Sequence, residues 1–103
     1  MKKWLYYKRT FLNRKSYHAG AFILAKILKE TYTHTHKKTK KKVNEVSYEV
    51  NLDIADCSRI ISLDIDLYSK REAANSLRKL DILISTLVEF RKIFVKEIPN
   101  IKS

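Results

Sequence analysis

The sequence predicts an α+β fold: a small antiparallel β-sheet of three strands in a meander, with a long C-terminal α-helix packed on one face. Three observations carry this expectation. Val46, Tyr48, Val50, Leu52 and Ile54 alternate with Ser47, Glu49, Asn51 and Asp53, the period-two signature of a strand with one buried face. Ile61, Leu63, Ile65 and Leu67 alternate with Ser62, Asp64 and Asp66 in the same way. Ser69-Lys70-Arg71-Glu72 then reads as a capping box, in which the Ser hydroxyl and the Glu carboxylate reciprocally satisfy backbone N–H groups at a helix start.

Residues 1–20 form a basic, aromatic N-terminal segment. Its Trp4, Tyr7 and Phe11 fall at helical spacing, and the segment fits either a short helix or an extended edge. The third strand is sought in Ala21 to Tyr32, with Ile23, Ala25 and Ile27 on one side. Leu24, Ile27, Leu28 and Thr31 would also fit a helix. A strand is preferred, because Thr31 to His36 continues with high β propensity and because Lys37-Lys38-Thr39-Lys40-Lys41-Lys42 then becomes a hairpin loop. The strands therefore lie within residues 21–68, with the Lys-rich loop at 37–42. Ala55 to Arg59 supplies turn-forming Asp and Ser for a second hairpin, with a loop slightly longer than the tightest type. The helix is expected over 69–98. Ala73, Leu77, Leu80, Leu83, Ile84, Leu87, Phe90 and Phe94 give it an apolar stripe wide enough to cover a sheet. Arg91, Lys92 and Lys96 suit the negative end of its macrodipole, and Pro99 closes it.

A length of 103 residues with 45% hydrophobic content fits one domain, 1–103, with a real core. The longest uncharged apolar stretch, Ala19 to Ala25, is seven residues, far short of the roughly 20 a spanning helix needs. Lys8 and Arg9 interrupt what would otherwise imitate a signal peptide. One cysteine, Cys57, cannot form an intrachain disulfide, so a reducing cytoplasm and no membrane are the expectation.

Net charge is +11, from 22 Lys+Arg against 11 Asp+Glu, and its distribution is polarised: residues 1–42 carry +12 and the remainder −1. Such a basic segment beside a near-neutral unit favours a polyanionic partner, nucleic acid or a nucleoprotein. The candidate binding residues are Lys2, Lys3, Trp4, Lys8, Arg9, Arg14, Lys15, Lys37, Lys38, Lys40, Lys41 and Lys42, where cations would hold phosphates and interleaved rings (Trp4, Tyr6, Tyr7, Phe11, Tyr17) would stack on bases. The plain alternatives are a solvated lysine loop and rings that belong to the core.

Enzymatic readings fare poorly. A single glycine, Gly20, rules out a Gly-rich phosphate cradle, and one helix after strands leaves no helix-turn-helix. Glu49, Asp53, Asp64 and Asp66 on the polar parity of the hairpin would have to converge to hold Mg²⁺, with Lys26, Lys29 or Arg59 offsetting their repulsion. Polar residues on an outer sheet face are equally expected without any site, and no nucleophile–base pair accompanies them. His34 and His36 would share one side of a strand, but two imidazoles fall short of a zinc site, and His18 and Cys57 lack metal-site spacing. Cys57 reads as an ordinary turn residue. No catalytic residue, metal or cofactor is expected.

Ile54-Ala55-Asp56-Cys57-Ser58-Arg59, Ile61-Ser62-Leu63-Asp64 and the run Leu77-Arg78-Lys79-Leu80-Asp81 through Phe90-Arg91 resemble small proteins encoded by phages and mobile elements of low-GC Gram-positive bacteria. The likeness covers about half the chain and implies membership of a pool that includes anti-CRISPR proteins, small inhibitors that occupy a nucleic-acid groove, a guide-RNA surface or an effector interface. The leading expectation is a non-catalytic binding or inhibitor protein of a mobile element, an anti-CRISPR acting on a type II effector and its guide RNA. The alternative is a general nucleic-acid-binding accessory or regulatory protein, and behind both stands a metal-dependent nuclease using Asp53, Asp64 and Asp66. A homodimer is compatible with so small a sheet, which leaves an edge strand or a helix face open.

Overall fold

The computed structural model describes residues 1–17 and 20–102; His18 and Ala19, which the sequence brought into the metal and apolar-stretch arguments, lie outside them. The fold is α+β, with the order β1 (Lys2–Phe11), β2 (Phe22–Thr35), β3 (Lys42–Asp56), β4 (Arg59–Leu63), α1 (Lys70–Glu97) and a 3₁₀ turn at Ile98–Asn100. The sheet is an antiparallel meander, β1-β2-β3-β4, and so has four strands rather than three. The added strand is β1. The irregularity in its pairing explains why its spacing imitates a helix: Trp4 pairs with Leu28 and Tyr6 with Ile27, so Leu5 is an extra, bulged residue. The bulge shifts the parity of the strand. Trp4 and Tyr7, three apart in sequence, then share one face with Arg9 and Phe11.

Cross-strand partners share a face. Ile23, Ala25 and Ile27 pair with Ile54, Leu52 and Val50, and Tyr6 joins them from β1. These residues face α1, as expected for the apolar parity of the hairpin. The β2–β3 hairpin runs well beyond the helix, so Val46 and Tyr48, on the same parity, remain exposed. Its turn begins after Thr35, and Lys42 belongs to β3 rather than to the loop. The β3–β4 turn is tighter than the sequence suggested, because Asp56 pairs with Arg59 and only Cys57 and Ser58 intervene. Cys57 takes φ 57° there, the positive value that a two-residue hairpin turn asks of its first central residue. β4 also ends early: Asp64 to Leu67 leave the sheet, and Ile65 turns into the core.

Helix α1 starts as its sequence dictates. Ser69 is extended, and its Oγ accepts from the Glu72 N–H at 3.2 Å. The first half of α1 is fastened to the segment that joins it to β4: the Asp66 N–H donates to Ser76 Oγ at 3.0 Å, and Lys79 Nζ donates to the Asp64 carbonyl. Ser76 is buried, and Ala73, Leu80 and Leu83 are partly covered on the same side. Packing on the sheet stops there. Leu77 and the remainder of the stripe, from Ile84 onward, are exposed, so the helix covers the sheet with part of its first half only. Among the described residues the buried apolar core comprises Ala21, Ala55 and Ile65, and no large side chain is fully buried. The molecule is correspondingly drawn out, 74 × 28 × 19 Å. No described helix is long and apolar enough to cross a membrane.

Candidate nucleic-acid interface

The twelve predicted binding residues do not form one patch. Strand alternation sends Lys2, Trp4 and Arg9 to the sheet face opposite α1, and Lys3 and Lys8 to the helix side, paired with Lys29 and Ala25. Arg14 and Lys15 lie in the β1–β2 connection, whereas Lys37, Lys38, Lys40 and Lys41 sit at the far tip of the β2–β3 hairpin. Lys2 pairs with Glu30, so the tip lies about 20 Å further along the strands. The cations form three stations along the length of the molecule.

The station on the open sheet face is the most organised. Trp4, Tyr7 and Phe11 are 50%, 59% and 56% exposed, which goes against the alternative that these rings belong to the core. Trp4 and Tyr7 meet edge to face with centroids 5.2 Å apart. The Arg9 guanidinium lies 4.2 Å from the Phe22 centroid and 5.6 Å from that of Phe11, and Lys26 Nζ stands 6.0 Å from the Trp4 ring. Trp4 and Phe11 pair with Leu28 and Phe22, so the platform runs for about 20 Å. It presents ring faces for stacking with cations alongside, the chemistry by which sheet surfaces hold unpaired bases. Tyr7 and Phe11 are among the rings the sequence offers for stacking, whereas Lys26 is not among its binding cations. The register of a bulged β1 on β2 is what gathers them, and reading Trp4, Tyr7 and Phe11 as bulge plus strand would have found them.

The same face carries an acidic lane on β3. Glu49 and Asp53 pair with Leu28 and Leu24, about 10 Å across the sheet from the β1 rings, and Glu45 lies further along the same face opposite Tyr32. The two lanes differ in sign, with cations on β1 and carboxylates on β3. The four carboxylates considered for Mg²⁺ do not converge: Glu49 and Asp53 lie on β3, Asp64 and Asp66 follow β4 on the helix side, and Asp66 Oδ1 accepts from the Tyr68 N–H at 3.2 Å. Arg59, expected to offset them, sits opposite Asp56. Among the described residues no three His, Cys, Asp or Glu side chains cluster as a metal site would require.

The hairpin tip is ordered by its own polar groups. His36 lies beyond the end of β2, so the two imidazoles do not stand on one strand. His36 Nδ1 accepts from the Lys38 and Thr39 N–H groups at 3.3 Å, and the Lys40 N–H closes the turn on the His36 carbonyl at 2.8 Å. Lys40 adopts φ 55° to do so. Below the tip, His34 Nε2 lies 3.4 Å from Glu45 Oε1, and the Tyr32 hydroxyl donates to Glu45 Oε2 at 2.8 Å. This bond, with the charge of Glu45 behind it, pushes the Tyr32 phenol above its ordinary value of 10.0. The four tip lysines are thus displayed on a braced hairpin rather than on a slack loop.

No protein-family model matches the chain, no characterised protein is detectably similar to it, and no solved structure matches its fold.

Proposed function

We propose that this protein is a non-catalytic nucleic-acid-binding protein that takes a single strand along β1. The carrying observation is the exposed lane of Trp4, Tyr7 and Phe11 flanked by Arg9 and Lys26. Bases stack on the rings, the cations of β1 and of the hairpin tip neutralise phosphates, and the acidic lane of β3 confines the strand. The same surface suits a guide RNA held in an effector complex, so inhibition of a CRISPR nuclease by a mobile-element protein is the second reading, supported by the sequence resemblance.

A mobility-shift assay with short single-stranded RNA, single-stranded DNA and duplex DNA over a range of salt tests the proposal. Single strands should bind best, with affinity falling as salt rises. Changing Lys37, Lys38, Lys40 and Lys41 together to Ala should flatten the log–log salt slope by up to about 3, since each phosphate contact on a single strand contributes about 0.7. Salt-independent affinity, or a slope that the four changes leave intact, overturns it. Binding that appears only when an effector–guide complex is added favours the inhibitor reading over the accessory one.

A further inference from the structure

We propose that the chain assembles as a two-fold homodimer in which the projecting half of α1 from each copy lies in the cleft between α1 and the sheet of the other. The first observation is area. A compact protein of 12.2 kDa exposes about 6,100 Å². This chain exposes 9547 Å², an excess of about 3,500 Å². Its radius of gyration is 19.9 Å, against about 13 Å for a compact chain of this length. An obligate dimer covers about 1,000–2,500 Å² per copy, so one such interface removes much of the excess.

The second observation is where that surface lies. Ala73, Ser76, Leu80 and Leu83 form the side of α1 that meets the sheet, at steps of three and four residues. Leu87, Phe90 and Phe94 continue the same line without a break, yet they are 61%, 66% and 59% exposed. The repeat of 73, 80, 87 and 94 is seven residues, the period of a seam between packed helices. No Gly or Pro interrupts Lys70–Glu97, so the helix has no break at which to fold this half back onto its own sheet.

The third observation is a space of matching character. A cleft of about 590 Å³ lies between the first half of α1 and the sheet, lined by Tyr6, Ile27, Val50 and Leu52 below and by Ala73 and Leu77 above. One chain therefore carries both an apolar stripe without cover and an apolar cleft without filling, and its geometry keeps them apart. A two-fold axis joins stripe to cleft twice and leaves no open end, whereas a heterologous contact closes only where its rotation completes a ring. A nucleic acid, with its phosphates, does not suit so apolar a space.

Sedimentation of the nuclease-treated chain at high salt, from about 1 to about 100 μM, reads the assembly in the absence of nucleic acid. A particle of twice the 12.2 kDa chain mass is expected, with a melting temperature that rises with protein concentration. Leu87→Glu with Phe94→Glu should abolish the dimer. Ile60→Glu, equally exposed but on β4 and the opposite sheet face, should leave it intact. In a Cys57→Ser background, Ile27→Cys combined with Phe90→Cys should form a covalent dimer on oxidation, and Phe90→Cys alone should not. A concentration-independent monomer, an open-ended oligomer, or a Leu87→Glu, Phe94→Glu variant that melts like the parent overturns the proposal. Self-linking of Phe90→Cys overturns the exchanged geometry.

Discussion

Replacing Trp4 by alanine isolates stacking from electrostatics. Trp4 is half exposed at one end of the β1 platform, and within the fold its ring meets Tyr7 edge to face, a pair worth about 0.5–1.5 kcal/mol, with Lys26 Nζ 6.0 Å from it. Its contribution to a bound strand should be larger: loss of one base–aromatic stack costs about 1–3 kcal/mol. That range is about a 5- to 150-fold weaker Kd. The change removes no charge, so the salt slope should stay put while the whole curve shifts. Trp4→Phe, which keeps a ring, should recover most of the loss. The assay is built into the chain: Trp4 is its one tryptophan, and a base stacked on it should quench its fluorescence as single-stranded RNA or DNA is titrated in. Unchanged affinity for Trp4→Ala would refute the assignment of β1 as the binding lane. So would a fluorescence signal indifferent to saturating nucleic acid.

Two further outcomes test the frame around the interface. Ser69→Ala removes the acceptor for the Glu72 N–H and should cost about 1 kcal/mol. For a domain of this size that lowers the melting temperature by about 4–8 °C, readable by circular dichroism. Alkaline titration followed by phenolate absorbance should show Tyr32 ionising above ordinary tyrosines, because it donates its proton to Glu45. A raised folded-state value favours the protonated form, so this bond stabilises the hairpin below the ordinary tyrosine range and is lost as pH rises through the raised value. Glu45→Gln should lower Tyr32 towards the ordinary value of 10.0; if Tyr32 already ionises there in the parent, the hydrogen bond is not made.

What was legible in the sequence is what local chemistry determines. Ser69 and Glu72 mark the helix start within one residue, because a cap is satisfied by its immediate neighbours. Val50, Leu52 and Ile54 point to the helix side, because pleating forces alternation. β1 resisted, because one inserted residue, Leu5, converts strand parity into a spacing of three. The open ends of α1 and of the hairpin resisted for a different reason. Period identifies which side of an element is apolar but not what covers it, and the stripe from Ala73 to Phe94 reads identically on and off the sheet. The cation distribution was legible as arithmetic only, since pleating divides neighbours such as Lys2 and Lys3 between faces that never meet.

The bulge at Leu5 has a consequence for solubility. β1 is ten residues long and lies at the margin of the sheet, with a row of backbone groups turned outward, which is a template for strand-by-strand polymerisation. A local kink spoils the register any incoming strand would need, and Lys2, Lys3, Lys8 and Arg9 repel an identical strand laid alongside. Straightening the strand by deleting Leu5, or neutralising those four cations, should leave the fold recognisable and increase fibril formation relative to the parent.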